Sequence, residues 1–303
     1  MSSRQEWYCG REMPWAVRVP VFALLFLLAT FQHRREVRGE EQEPAAPHAS
    51  NQAQREKRLD EMRRRADGIK VRVLVDDEKA AADAIPEPLM RFSDQPRAIR
   101  DATLWCWRHR GRPVALFKTH MVRGDENEWT WLDGLYSLSP ELIEAGWADG
   151  HHFASRKPGL KLSALPEEPE CADKPRGRLQ QMKELARRFE ITILPSEGNK
   201  QEMRLLPRAL YRYSAPNDGL LDRALFGFTS NGTNPDAVLA IELVRSAEPV
   251  GAWQYGIAQL TTGGLSARWD DRQVWSATQK STTPTAFDEW TWFWAPGKAG
   301  EAK

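Results

Sequence analysis

Apolar residues recur at helical spacing in one stretch near the middle of the chain and at strand spacing on both sides of it. The helical stripe consists of Leu179, Met182, Leu185, Ala186 and Phe189, while charged and amide side chains occupy the remaining surface. The pattern predicts an amphipathic helix over about residues 174–190. Because the stripe is wide and apolar, we expect it to face a sheet.

After this helix the hydrophobic period changes to two. Strand-like segments lie at residues 203–206, 209–213, 220–229, 237–244 and 253–261, and polar turns separate them. The connections are too short for crossover helices, so neighbouring strands should pair antiparallel. A further hairpin is expected at residues 265–269 and 274–277.

Upstream, residues 102–109 and 112–120 read as two strands joined at Arg110-Gly111, a connection that favours a tight hairpin. Pairing His109 with Arg112 predicts one face of Trp105, Trp107, Val114 and Leu116 and another of Leu104, Cys106, Ala115 and Phe117. Both faces are apolar. The hairpin should therefore lie inside a layered or curled sheet.

Together the patterns predict an α+β fold, a mainly antiparallel curled sheet or half-barrel packed around the amphipathic helix. A charged helix with a narrow apolar seam of Leu59, Met62 and Ala66 is expected at residues 51–67. Short helical turns are expected at residues 80–84 and after Ser139, and a strand at 157–165. We expect four regions: a signal peptide or membrane anchor (1–39), a polar linker and charged helix (40–69), a single β-rich domain (70–296) and a disordered tail (297–303).

Several segments carry a resemblance to a known group of proteins. They are LWCWRHRGRPVALFK (104–118), RLQQMKELARRF (178–189), MRLLPRALYRY (203–213), LDRALFGF (221–228), NPDAVLAIELV (234–244) and WQYGIAQL (253–260). Over most of the chain from about residue 88, the sequence resembles a family of uncharacterised bacterial proteins that are predicted to be exported. That family has no established activity, ligand or catalytic residues, so the resemblance implies no function.

The N-terminus carries the layout of a signal peptide. Residues 19–31 form an uncharged apolar run that follows Arg4, Arg11 and Arg18. The run is shorter than the roughly 20 apolar residues that a spanning helix needs. We therefore expect an exported protein of the periplasm, envelope or extracellular space, with an uncleaved anchor at residues 19–31, or a cytoplasmic protein, as alternatives.

The net charge bears on which class of partner is expected, and the cysteine content bears on whether a disulfide can form. The formal net charge is +1, so no basic field indicates nucleic acid as a partner. The charged helix is typical of a solvated face, with an RNA or membrane tether as the alternative. A cleaved signal would remove Cys9 and leave Cys106 and Cys171, either as a disulfide or as two unrelated buried thiols.

Tryptophan is the residue type that stands out, with 13 Trp against 5 Tyr. Alternating tryptophans occur in three strands, the first two contributing Trp105, Trp107, Trp129 and Trp131. These four are candidate ligand-binding residues, because exposed aromatics can form a platform for a saccharide or an apolar ligand. The alternative is that they fill a β core.

The sequence contains no nucleophile elbow, phosphate-binding glycine loop, or zinc or calcium pattern, so no catalytic residue, metal or cofactor is indicated. The leading hypothesis is a non-catalytic exported protein with a binding or envelope-associated structural role. The alternative is a secreted hydrolase with a Trp-lined cleft. Its candidate catalytic groups are Glu128, Asp133, Asp288 and Glu289, or His120, His151 and His152.

Overall fold

A computed structural model describes residues 47–124, 128–167, 169–194, 199–215, 219–245, 251–283 and 285–298. The chain divides into two units, residues 1–45 and residues 46–303, and every element described below belongs to the second. The predicted signal peptide or anchor lies outside the described residues, as does most of the predicted C-terminal tail. No helix in the described part of the chain has the length and apolar content needed to cross a membrane.

The described residues contain two α-helices, α1 (Pro47–Asp67) and α2 (Pro175–Arg187). In α1 the predicted seam is the packed side, with Met62 and Ala66 buried and Leu59 half-buried. In α2 Met182, Leu185 and Ala186 are buried against a sheet, which confirms the predicted amphipathic helix. Pro175 occupies its first turn, where the missing N–H costs no hydrogen bond.

The remaining elements are strands and one short 3-10 turn (Gln95–Arg97). The strands are β1 (Ile69–Val75), β2 (Glu78–Ala81), β3 (Asp83–Ala84), β4 (Met90–Asp94), β5 (Ile99–His109), β6 (Arg112–Arg123), β7 (Trp129–Ser137), β8 (Ile143–Trp147), β9 (His152–Ala154), β10 (Ser163–Ala164), β11 (Phe189–Leu194), β12 (Gln201–Glu202), β13 (Arg204–Leu205), β14 (Tyr211–Ala215), β15 (Leu220–Thr229), β16 (Ala237–Val244), β17 (Ala252–Gln259), β18 (Gly264–Trp269), β19 (Arg272–Ala277), β20 (Thr285–Ala286) and β21 (Trp290–Lys298).

The strands form four antiparallel sheets. Outer sheet 1 has the order β2-β1-β8-β9, and inner sheet 1 has the order β20-β21-β7-β6-β5-β3, with β4 also on β5. Inner sheet 2 has the order β10-β17-β16-β15-β13, with β14 also on β15, and outer sheet 2 has the order β12-β11-β18-β19. Three main hydrophobic clusters fill the spaces between successive sheets, so the sheets stack as four layers with the inner two in contact.

The two halves of this unit repeat the same plan. Each starts with a helix, and β1 pairs with β2 and β8 as β11 pairs with β12 and β18. Strands β5-β6-β7 likewise correspond to β15-β16-β17. Side chains repeat too: Arg91 pairs with Asp101 in the first half, and Arg212 pairs with Asp222 in the second. The unit is therefore an internal duplication.

Each half is followed by a strand that pairs with the sheet of the other half. Strand β10 follows the first half in sequence but pairs with β17 of the second half. Strand β21 follows the second half but pairs with β7 of the first. Because both inner sheets are completed by an exchanged strand, neither half closes its own sheet.

The predicted α+β class and the antiparallel pairing are confirmed, but the expected curled sheet or half-barrel around one helix is replaced by four separate sheets that do not close into a barrel. The reason is visible in β6 and β16, whose residues are buried almost throughout. A strand with two apolar faces needs a layer on each side, and a single curled sheet supplies only one.

The predicted register of the β5–β6 hairpin is wrong beyond its turn. A β-bulge between Trp107 and Arg108 shifts the pairing, so Trp107 lies opposite Ala115 and Trp105 lies opposite Phe117. Phe117 therefore joins the two tryptophans on the face toward outer sheet 1, and Leu116 packs on the opposite face. A shift of one residue moves every side chain to the other face of a strand.

The short helices expected at residues 80–84 and after Ser139 are also wrong. Residues 80–81 end β2, and residues 83–84 form β3. The Ser139 hydroxyl accepts the backbone N–H of Glu141 at 3.1 Å, which makes a tight turn, and the chain then enters β8. The strand predicted at 157–165 is reduced to β10.

Candidate functional site: a cleft at the junction of the two halves

The tryptophans singled out from the sequence do not form one platform. Trp105 and Trp107 are 2% exposed and lie between outer sheet 1 and inner sheet 1. Trp131 is 3% exposed and packs with Met62 of α1. Only Trp129 of these four is half-buried. Three of the four side chains therefore lie in the core and present no face to a ligand.

Trp129 lies between two cations at the end of β7. The guanidinium groups of Arg100 and Arg123 each lie 5.1 Å from its ring centroid. Cation–π contacts of this kind stabilise an exposed ring by roughly 0.5–1 kcal/mol. The contacts hold Trp129 in place, and its role in ligand binding stays a prediction.

The disulfide considered between Cys106 and Cys171 is not formed in this structure. Both thiols are free. Cys106 packs between the two inner sheets, whereas Cys171 packs on the other side of inner sheet 2, against the cluster that contains α2. Burial raises the pKa of the Cys106 thiol to about 12, which makes it an unreactive core residue.

The three histidines of the hydrolase hypothesis lie on different faces of inner sheet 1. His120 points toward inner sheet 2, where burial lowers its pKa to about 3 and its Nδ1–H donates to the Leu132 carbonyl at 3.1 Å. His151 stacks on Phe293 at 3.7 Å, on the other side of the sheet, with His152 next to it in β9. No shared site for the three side chains results.

The four candidate carboxylates are also separated. Asp133 is buried beneath α1, where burial raises its pKa to about 6 although Arg65 Nη1 lies 3.4 Å away. Asp288 lies at the surface, where hydrogen bonds from Lys157 and then Arg156 lower its pKa. Glu128 is an exposed residue before β7, and Glu289 lines a cleft.

A buried polar network joins the halves. The ammonium group of Lys118 on β6 donates to Asn234 Oδ1 at 3.1 Å and to the backbone carbonyls of Pro235 and Leu260. Burial lowers the pKa of Lys118 to about 7. Because these three hydrogen-bond acceptors belong to the second half, Lys118 connects the two inner sheets.

A second contact in this network is the ion pair between Arg97 and Asp236. Arg97 follows β4 in the first half, and Asp236 precedes β16 in the second. Two guanidinium nitrogens of Arg97 lie 2.7 and 2.8 Å from the carboxylate oxygens. This paired geometry is the strong, oriented form of an ion pair.

Beside this network the junction opens into a cleft of about 330 Å³, which we call the junction cleft. Tyr136 and Ser137 at the end of β7 line one side, and Ala258 and Gln259 at the end of β17 line the other. Tyr136 and Ala258 occupy equivalent positions in the two halves. Tyr136 of β7 pairs with Leu116 of β6, and Ala258 of β17 pairs with Val238 at the equivalent position of β16. The two sides differ in residue type, so the cleft is chemically asymmetric.

Basic and aromatic groups surround the junction cleft. Its basic residues are Lys157, Lys161 and Lys280. Lys157 bonds Asp288 at 2.7 Å and Lys280 lies 3.8 Å from Glu289, while Lys161 is exposed and has no ion pair among the described residues. The cleft therefore has a positive rim with at least one uncommitted amine.

The aromatic groups are Tyr136, Trp275 and Trp290. Trp290 stacks on Tyr136 with ring centroids 5.2 Å apart and planes at 27°. Its indole N–H is buried and has no acceptor in the described part of the protein. Buried donors are almost always hydrogen-bonded in proteins, so an unpaired one beside a cleft indicates a place for an acceptor.

The lining of the junction cleft suits ligand binding better than glycoside hydrolysis. Indole rings, amide and hydroxyl groups and lysine amines suit a saccharide that carries a carboxylate. Glu289 is the one carboxylate among the described lining residues, and glycoside hydrolysis generally needs two. In the described ranges, no group of three or more His, Cys, Asp and Glu side chains could hold a metal ion.

Comparisons with known proteins add nothing to this site. No family model, no curated protein and no solved structure matches the chain. The resemblance to exported bacterial proteins therefore stays a prediction.

Sequence reasoning missed most of the junction cleft. Trp290 belongs to an alternating tryptophan pattern that could have drawn attention. Lys157 and Lys161 are unremarkable in the sequence, and they come to the cleft because the connector that contains them crosses to β17 through β10.

Proposed function

We propose that the protein is a non-catalytic, exported binding protein that takes an acidic saccharide in the junction cleft. The observation that carries the proposal is the unpaired indole N–H of Trp290 beside a cleft whose rim bears Lys157, Lys161 and Lys280. Sites for small ligands concentrate at junctions between domains and combine apolar walls with a few polar groups. A sugar ring on the indoles and a carboxylate on the lysines would use both features.

The proposal is tested with the full chain by calorimetric titration and intrinsic tryptophan fluorescence. The probe is trigalacturonic acid, and its fully methyl-esterified form is the matched neutral ligand. We expect the acid to bind and the ester to bind at least tenfold more weakly, because a hydrogen bond to a charged group contributes about 1.5–3 kcal/mol. Equal binding of acid and ester would contradict a role for the lysines.

Two exposed or half-exposed lysines of the cleft provide the variants. Lys161→Ala and Lys280→Ala should each weaken trigalacturonate binding by about tenfold. Lys70→Ala, which changes an exposed lysine of outer sheet 1, should leave it unchanged. If the control variant weakens binding as much as the cleft variants, the charge of the whole surface rather than the cleft is responsible.

The hydrolase alternative has a direct readout in the same samples. Chromatography of trigalacturonate after incubation should show the trimer intact. Shorter products, lost on substitution of Glu289 by Gln, would replace the binding proposal with a hydrolytic one.

The exported location rests on residues 19–31, and mass spectrometry of the N-terminus of the protein expressed in a bacterial host tests it: a start beyond residue 31 supports cleavage of a signal.

A further inference from the structure

A second and larger open space lies in the second half, away from the junction. It is a groove of about 570 Å³ between α2, β11 and the segment around β13, which we call the α2 groove. Its floor includes Phe189, Phe226 and Phe228. These rings are buried beneath the surface, and half-buried Leu205 adjoins them. The floor is therefore aromatic and apolar.

Cations lie along two sides of the α2 groove. Lys183 and Arg187 come from α2, and Arg204 comes from β13. Two acids also line it, Glu190 on β11 and Glu202 on β12. The charges are thus separated, with the cations on the helix and β13 and the acids on outer sheet 2.

The duplication provides a comparison for this groove within the same chain. Strand β3 pairs with β5 as β13 pairs with β15, with Ala84 opposite Trp107 and Leu205 opposite Phe228. Met62 of α1 and Met182 of α2 are both fully buried and occupy equivalent positions in the two helices. The lining residues Lys183, Arg187 and Arg204 consequently correspond to Arg63, Asp67 and Asp83, and Arg208, which directly follows the lining residue Pro207, corresponds to Glu87.

The charge at three of these four positions is reversed between the halves. In the first half Arg63 Nη2 bonds Glu87 Oε2 at 2.8 Å and links α1 to the segment after β3. In the second half the corresponding residues, Lys183 and Arg208, are both cationic, so these two positions cannot form an ion pair. The bridge of the first half therefore has no counterpart at the equivalent positions of the second half.

Two of the cations of α2 have no internal partner in the described ranges. Neither Lys183 nor Arg187 has an ion pair or hydrogen bond from its side chain there, and Arg204 donates one hydrogen bond to the Gly232 carbonyl at 2.5 Å. Like charges held close together cost free energy unless an anion neutralises them. The α2 groove thus combines two cations that have no side-chain partner in the described ranges with an aromatic floor.

We propose that the α2 groove binds a phosphate monoester with an aromatic substituent. The phosphate would lie between Lys183 and Arg187 of α2 and Arg204 of β13, where guanidinium groups can bond two oxygens at once. The aromatic ring would lie toward Leu205 and the phenylalanine floor. This site is independent of the junction cleft, since the two share no residue.

Phenyl phosphate is the probe, and inorganic phosphate is the matched ligand without a ring. In calorimetric titrations of the full chain at low salt, we expect phenyl phosphate to bind at least tenfold more tightly than inorganic phosphate. Lys183→Gln and Arg187→Gln should each weaken phenyl phosphate binding by about tenfold. All these substitutions are at the surface, and a thermal melt checks that each variant is folded.

The first half contributes the control. Arg63→Gln changes the residue equivalent to Lys183 and should leave phenyl phosphate binding unchanged. Lys161→Ala in the junction cleft should also leave it unchanged, which keeps the two sites distinguishable. The proposal is overturned if phenyl phosphate does not bind, if inorganic phosphate binds as tightly, or if Arg63→Gln weakens binding as much as Lys183→Gln.

Discussion

Lys118 is the buried amine whose hydrogen bonds connect the first half to the second. It is 2% exposed, and its three acceptors Asn234, Pro235 and Leu260 all lie across the junction. Removing its amine would leave these acceptors buried and unsatisfied. Unsatisfied buried polar groups cost about 1–3 kcal/mol each, so this one side chain matters to the whole junction.

We expect Lys118→Met to lower the free energy of unfolding by about 2–4 kcal/mol at pH 8. Chemical denaturation of the full chain measures this change. The matched control is Lys79→Met, which removes an exposed amine paired with Glu144 and should cost less than about 1 kcal/mol. A Lys118→Met protein as stable as the wild type would show that the junction does not depend on the amine.

The same residue makes stability depend on pH. Burial lowers its folded pKa to about 7 from an ordinary 10.5, so between these values the unfolded chain binds a proton that the folded chain does not. Stability of the wild type relative to Lys118→Met should therefore rise as pH increases from 7 to 10.5 and be constant below pH 7. Denaturation of both proteins across this range checks the sign, and a difference that falls with pH would contradict the depressed pKa.

At the scale of elements, the two helices perform the same packing role at opposite ends of the stack. Met62 of α1 and Met182 of α2 are each fully buried at equivalent positions. An arginine one turn earlier anchors each helix, with Arg58 bonding Asp101 at 2.8 Å and Arg178 bonding Asp222 at 3.1 Å. Burial alone would raise the pKa of Asp101, but hydrogen bonds from Arg91 and Arg58 outweigh it and lower the pKa.

Met62→Ala and Met182→Ala should each lower the free energy of unfolding by about 2–5 kcal/mol, because both leave a cavity under a helix. Denaturation curves of the full chain measure the loss. Lys57→Ala, at an exposed position of α1, should change stability by less than about 0.5 kcal/mol. A negligible cost for Met62→Ala alone would mean that α1 is not an integral part of the first half.

At the scale of the whole molecule, the exchanged strands β10 and β21 connect the stability of the two halves. Inner sheet 1 is complete only when β21, which follows the second half, pairs with β7. Inner sheet 2 is complete only when β10, which follows the first half, pairs with β17. The hydrophobic cluster between the two inner sheets also contains side chains from both halves. The halves therefore cannot unfold independently without breaking strand pairs.

We expect scanning calorimetry of the full chain to show one transition, with equal calorimetric and van't Hoff enthalpies. The physical reason is that unfolding either half removes a strand from the other. Hydrogen exchange provides a second readout, in which β7 and β21 should lose protection together although they are far apart in sequence. Two separated transitions would show that the exchanged strands contribute little.

Much of the element plan could be predicted from the sequence. Strands β15 and β16 agree with the predicted bounds to the residue, and the amphipathic face of α2 is the buried one. Periodicity is a property of residues two to four apart, and each of these elements buries one face or both faces along its whole length. The candidate site was far less predictable, since neither the junction cleft nor the α2 groove consists of residues that are adjacent in sequence.

The sequence by itself determined the two helices, most of the strands and their antiparallel pairing, because local periodicity and apolar content are sufficient for these. Only the tertiary structure decided the bulge beside Trp107, the exchange of β10 and β21, and the position of Lys161 and Trp290 in the same cleft. Each of these depends on which distant segments pack together. That choice is made by the fit of two apolar surfaces far apart in the chain, and no pattern within either segment records it.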